Sequence, residues 1–290
     1  KQAQEQAQRT TAWKRIVSAS GVELGESRIL GMKSAPFPHP ARANGHIYKD
    51  VTYSAEGHYR DSSALLFLPR RLKPRATIDI VVYLHGWYNS VDSANAQFRI
   101  CEQFAESGRN AALIFPEGSK FAPDSFGGKL EDSCGLKCFL AETLSALKRE
   151  KKINARLGNV ILAGHSGAYR AIACMLALGC APVREVWLFD GQYGRAEEFL
   201  GWLQGDRRRL SGRFINIYTD DGGTKAETEE CMKSLRDLNI AFRAVREADL
   251  TKQDLASSLL FIHSDLTHND VVAARNQFQR FLETSCLRGY

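Results

Sequence analysis

The segment Asn159-Val160-Ile161-Leu162-Ala163-Gly164-His165-Ser166-Gly167-Ala168-Tyr169-Arg170-Ala171-Ile172 decides how the rest of the chain is read. Its first part, NVILA, is short, apolar and partly β-branched, which marks a strand buried on both faces. Its last part opens the helical stretch GAYRAIACML. Only a few small residues separate the two. A strand-to-helix turn that tight holds Ser166 in a strained conformation with its side chain pointing out, and Gly164 and Ala168 supply the missing bulk around it. The helix N-terminus that follows stabilises negative charge developing beside the serine. The plainer alternative is a Gly-rich βα turn or anion-binding loop.

The same alternation continues in both directions. Strands are predicted at Ile78–Leu84, Ala111–Phe115 (stopped by Pro116), Glu185–Phe189, Phe214–Tyr218, Ala241–Val245 and Leu259–Ile262. Helices are predicted near 93–107, 136–151, 167–178, 195–204, 225–238 and 270–284. Apolar strands alternating with helices imply an α/β fold: a mostly parallel central sheet covered by helices on both faces. Sites in such sheets form where strand C-termini meet helix N-termini. Upstream, His46–Ala55 alternates and Ala64–Leu68 is apolar, which suggests an antiparallel pair as the N-terminal start. Residues 34–45, SAPFPHPARANG, read as a loop. Residues 1–18 are Gln-rich and polar with weak helical character, an extension or docking helix outside the core. The expected organisation is an N-terminal extension and loop over 1–45 and one domain over 46–290.

Composition narrows the function classes. The net charge is +6, yet Arg70-Arg71 and Arg207-Arg208-Arg209 are the densest basic clusters, short of the interleaved basic stripe of a nucleic-acid surface. The charge is better used on anionic substrates or surfaces. No apolar run approaches the ~18 residues that a membrane-spanning helix needs. Seven cysteines cannot all pair within one chain. Cys134 and Cys138, in DSCGLKC, either bridge or share one helical turn, and free thiols are the main alternative to one or two disulfides. The chain starts at Lys1, so compartment is not legible, and neither is oligomeric state.

The turn Gly164-His165-Ser166-Gly167-Ala168, strand before and helix after, resembles the nucleophile elbow of the α/β-hydrolase superfamily. The resemblance runs over residues 76–284 in motif order and spacing, with Ala168 where the family usually has glycine. It implies the α/β-hydrolase fold and a serine hydrolase with Ser166 as nucleophile. A second element, His85-Gly86-Trp87, directly follows the strand IDIVVYL. Alone it reads as a turn. In the superfamily an HG dipeptide here opens the loop that donates to the oxyanion hole, which implies the Trp87 and Gly167 amides as donors, each worth ~3–4 kcal/mol in related sites.

The base is expected last, between the final strand and the closing helix. His263 adjoins the strand, whereas His268 falls in the loop just before the helix, so His268 is preferred. For the acid, Asp190 ends the strand EVWLF, while Asp220 and Asp221 follow FINIY in TDDGGT. Most of the superfamily places the acid after the later strand and some place it one strand earlier. Asp190 is preferred, because TDDGGT also reads as a capping turn for the helix near Lys225. The expected chemistry is cleavage of an ester, thioester or amide through an acyl-enzyme, on a small-molecule or peptide acyl substrate, with no cofactor and no metal. Two other readings stand beside it. One is a metal-dependent hydrolase using His263, Asp265, His268 and Asp270. The other is a binding protein that keeps the fold without the chemistry. Trp87, Tyr88, Phe121, Phe126 and Tyr193 are candidate pocket aromatics, and the loop 117–135 is placed to gate them. Arg170 either pairs with a buried carboxylate, the favoured role, or reads a substrate carboxylate.

Overall fold

The computed structural model describes residues 12–178, 180–204 and 212–290. Its strands are β1 (Lys14–Val17), β2 (Glu23–Gly31), β3 (His46–Tyr48), β4 (Val51–Tyr53), β5 (Ser63–Pro69), β6 (Thr77–Leu84), β7 (Ala111–Pro116), β8 (Arg156–His165), β9 (Val183–Phe189), β10 (Arg213–Tyr218), β11 (Arg243–Arg246) and β12 (Leu259–His263). The helices are α1 (Ala55–His58), α2 (Val91–Phe98), α3 (Ile100–Glu106), α4 (Gly135–Lys151), α5 (Tyr169–Ala177), α6 (Ala196–Gln204), α7 (Lys225–Asp237) and α8 (Gln277–Glu283).

Among the described residues, ten strands form one sheet in the order β1-β2-β5-β7-β6-β8-β9-β10-β12-β11. The run from β7 to β11 is parallel, and β1, β2 and β5 join it antiparallel. The strands predicted from sequence within the strand–helix alternation are the parallel ones, whereas the predicted apolar run Ala64–Leu68 is the antiparallel β5. Alternate residues feed two cores. Ile80, Val82, Leu162 and Leu188 face α4, α5, α6 and α7, while Val81, Tyr83, Ile161, Trp187 and Phe189 face α2, α3 and α8. The central strands β6, β7, β8, β9, β10 and β12 bury both faces, which explains their near-continuous apolar runs.

Several expectations are corrected. Residues 14–31, assigned to the extension, supply β1 and β2, and β2 pairs with β5 over Gly25–Gly31. Period-2 burial in β2 is broken by half-exposed polar residues, which concealed a strand near the sheet edge. Residues 1–11 and 205–211, with Arg207-Arg208-Arg209 among them, lie outside the described residues. The expected antiparallel pair of His46–Ala55 with Ala64–Leu68 does not form. β3 and β4 pair with each other through the turn Lys49-Asp50, and β5 pairs with β2 and β7. The helix expected over 93–107 is broken at Arg99, whose φ is 52°. The closing helix is confined to α8, with turns from 269 to 275 in place of its expected first half. Cys134 bonds to Cys180 rather than Cys138, joining the start of α4 to the segment after α5, and five cysteines are free. Among the described residues no helix is long and apolar enough to cross a membrane.

Candidate active site

β6 leads to β7 on one side, whereas the chain then crosses to β8 on the other, so the strand order reverses between β6 and β8. Loops at the C-terminal ends of two such strands diverge and leave a crevice. Leu84 of β6 pairs with Gly164 of β8, so the turns His85-Gly86-Trp87 and His165-Ser166-Gly167 start side by side. A Cβ on Gly86 would come within 2.6 Å of Ser166 Cβ and 2.9 Å of the His165 carbonyl oxygen, so only glycine fits this approach. Ser166 has φ 55°, in the left-handed region that a serine rarely adopts, and is half-buried. It opens a 3-10 turn, Ser166–Ala168, that runs directly into α5. A Cβ on Gly164 would meet Ala168 Cβ at 2.6 Å, so the turn needs a small residue at both positions.

Gly167 and Trp87 are neighbours across the crevice. A Cβ on Gly167 would lie 2.5 Å from Trp87 Cδ1, and the indole N–H donates to Ser125 Oγ at 2.7 Å, which fixes the ring. The Gly167 amide belongs to the first turn of a helical run, where backbone N–H groups have no intrahelical acceptor. The His85 ring steadies the facing turn at Gly86. It is buried, with Nδ1 2.8 Å from the Gly86 carbonyl and Nε2 2.9 Å from Glu117 Oε1.

On the other side of β8, Asp190 directly follows β9 in a positive-φ conformation (46°) and is fully buried. Its Oδ2 lies 2.6 Å from Nδ1 of His268. Thr219 donates to it through its amide (3.0 Å) and hydroxyl (2.6 Å), and the Thr224 hydroxyl adds another short bond. Burial pushes the Asp190 carboxyl up, but the bonds from His268, Thr219 and Thr224 outweigh it and hold the group below its usual range. It therefore stays a carboxylate, able to keep a proton on His268 Nδ1.

The other acid candidates do different work. Asp221 accepts the His268 backbone N–H at 3.1 Å, not the ring. Asp220 is exposed and pairs with Lys225 at 2.7 Å and with His263 Nε2 at 3.1 Å. His263 stacks on Tyr218 instead of joining His268. Asp265 pairs with Arg275 and Asp270 accepts from Thr267, so the four residues of the metal reading are spread over separate partners. Among the described residues no group of three or more His, Cys, Asp or Glu is arranged to hold a metal ion.

Ser166 and His268 are not joined by a hydrogen bond in this structure, but both border Tyr193. The Tyr193 ring centroid is 6.4 Å from that of His268. Its hydroxyl donates to the Gly222 carbonyl at 2.6 Å. Burial first, then the Asp190 charge, push the Tyr193 phenol up to about 12, and the nearby Ser166 hydroxyl offsets this in part. Arg170 bonds Glu131 at 3.0 Å and lies over the Phe126 ring, the structural role favoured from sequence. Trp87, Tyr88 and Phe121 are exposed along one rim, with Tyr48 edge-on to Trp87.

From sequence, Tyr193 is only a pocket aromatic, His165 has no role, and Thr219–Thr224 has only that of a capping turn. The small and hydroxyl residues of Thr219–Thr224 carry a signal that a capping turn does not exhaust. Thr224 does sit at that cap, yet its hydroxyl goes to Asp190 instead.

No family model matches the chain, and no curated protein matches it. Solved structures do. A ferulic acid esterase superposes with a TM-score of 0.51 at 13% identity, over 76% of this chain and 91% of that one. FphF, a fluorophosphonate-binding serine hydrolase of Staphylococcus aureus, gives 0.52 at 11% identity, over 89% and 97%. An S-formylglutathione hydrolase from Agrobacterium tumefaciens gives 0.50 at 11% identity, over 93% and 97%. At these identities the likeness is one of fold. The chain has the α/β-hydrolase fold, with a mostly parallel sheet, helices on both faces and antiparallel N-terminal strands.

Proposed function

We propose that this chain, built on the α/β-hydrolase fold, is a serine hydrolase that cleaves a carboxylic ester through an acyl-enzyme on Ser166. His268 takes the Ser166 proton through Nε2 as the hydroxyl oxygen attacks the acyl carbonyl. Asp190 keeps the Nδ1 proton in place and stabilises the imidazolium without taking that proton. The carbonyl electron pair moves onto oxygen, where the Gly167 and Trp87 amides receive the charge. Collapse expels the alcohol, which takes the proton back from His268. Water then repeats the sequence with the same base and releases the acid.

The observation that carries this reading is the 2.6 Å contact between a buried carboxylate and His268 Nδ1, one strand away from a serine held at φ 55°. With Nδ1 committed to Asp190, Nε2 is the ring atom left to take the Ser166 proton. Nucleophile–base bonds are often long in unliganded sites and tighten when substrate arrives. The esterase name of one structural neighbour favours an ester over an amide.

The test is labelling by a fluorophosphonate probe, with Ser166→Ala as the control. The expected result is stoichiometric labelling of the wild type, none of the variant, and turnover of short-chain esters lost with it. Labelling of both proteins, or of neither, refutes the assignment of Ser166. Absence of labelling and turnover in a folded wild type favours the binding-protein reading.

A further inference from the structure

We propose that His165 is a positioning residue that locks the general base to the nucleophile, an inference that rests on the assignment of His268 as base. His268 lies in a stretch of turns between β12 and α8, where no helix or strand ladder holds its backbone. Its main chain is instead clamped at both sides. The amide donates to Asp221 Oδ1 at 3.1 Å, and the carbonyl lies 2.8 Å from His165 Nε2.

His165 suits this task. It is 3% exposed, the last residue of β8, and covalently next to Ser166. The Phe98 ring packs against it with centroids 4.8 Å apart, and the His268 ring lies on it at 4.6 Å. Facing a carbonyl, Nε2 must carry the proton, so the donor is assigned by its acceptor. Burial first, then the neighbouring His268, push the imidazole down to about 4, so it is neutral where a hydrolase works. The other titratable groups acting on it are Asp190 and His85. A neutral ring offers the base a hydrogen bond without placing a second positive charge beside the imidazolium that forms in catalysis. The consequence is mechanical. Any movement of Ser166 in its turn is transmitted through one peptide unit and one buried ring to the loop that aims His268.

Three variants test it. Glutamine places an amide N–H close to the position of Nε2, asparagine is too short to reach, and leucine removes the donor. His165→Gln is expected to keep kcat within about threefold of wild type, whereas His165→Asn and His165→Leu lose about 30- to 100-fold, the scale of a 1 Å misplacement. KM should stay within about twofold throughout, and fluorophosphonate labelling rates should fall in parallel with kcat. An independent readout is the downfield His268 Nδ1 proton resonance, expected in wild type and His165→Gln and absent or broadened in His165→Asn. Equal kcat in all three variants, or an equal loss in glutamine and asparagine, overturns the proposal. An unreactive wild type would instead overturn the hydrolase reading, and the resonance would still decide whether His165 holds His268. Should the leucine variant not fold, the glutamine–asparagine comparison at matched thermal midpoints decides alone.

Discussion

Gly222 offers a sharp perturbation of the Asp190–His268 pair, because it touches neither by a side chain of its own. A Cβ at this position would overlap Asp190 Oδ2 and come within 2.8 Å of His268 Nδ1. Ordinary contact to a Cβ begins near 3.4 Å, so the ring alone must retreat by the difference, about 0.6 Å, and the carboxylate by more. Asp190 has little freedom to yield, since Thr219 and Thr224 hold both of its oxygens. The contact that gives way is therefore the 2.6 Å bond to His268. The combined shortfall exceeds 1 Å, a displacement that costs about 100-fold in rate, and full loss of the orienting acid costs up to ~10⁴. Gly222→Ala is thus expected to lower kcat for a short-chain ester by about 10²–10⁴ with little change in KM. The control is Gly201→Ala, in α6, where an added Cβ meets nothing within 4 Å. It should leave kcat alone and stabilise the helix by about 0.5–1 kcal/mol. Initial rates and fluorophosphonate labelling rates read both variants. A folded Gly222→Ala protein with kcat within about threefold of wild type would refute the claim that this contact supports the base.

Three further outcomes are expected. The His165 imidazole is held down at about 4 in the fold against 6.5 unfolded, so between those pH values the unfolded chain binds the proton and the folded one does not. Its contribution is complete above 6.5 and is lost as pH falls toward 4, so wild type should lose roughly 2–3 kcal/mol relative to His165→Gln between pH 7 and 4.5 in urea titrations; equal losses would contradict this. Breaking the Cys134–Cys180 bond, with a sequence separation of 46, should cost up to about 4 kcal/mol by chain entropy, read as a lower denaturation midpoint for Cys134→Ser, and an unchanged midpoint would deny the bond a stabilising role. Arg170→Met should cost about 1 kcal/mol or less, given the partial exposure of its pair with Glu131, and leave ester turnover unchanged; a loss confined to carboxylate-bearing esters would reassign Arg170 to substrate.

Much of the parallel half of the molecule was legible in the sequence. β6, β7, β8, β9, β10 and β12 are buried on both faces, so their apolar runs carry the signal without help from neighbours. β1 and β2 were not legible, because strands near an edge show half-exposed polar residues and borrow their order from the strand they join. That the His85-Gly86-Trp87 turn lies beside the Ser166 turn was implied by the family resemblance, not by the residues alone. The choice among Asp190, Asp220 and Asp221 did not.

Local features can be read along the chain: where strands end, where small residues allow a tight turn, and which side chains occupy those ends. The folded arrangement is needed to tell which of three carboxylates meets which atom of His268, and that Cys134 reaches Cys180. The difference is physical. Turn and strand signals are written in residues a few positions apart, whereas the Asp190–His268 contact spans 78 positions and depends on how β9, β10 and β12 pack in register.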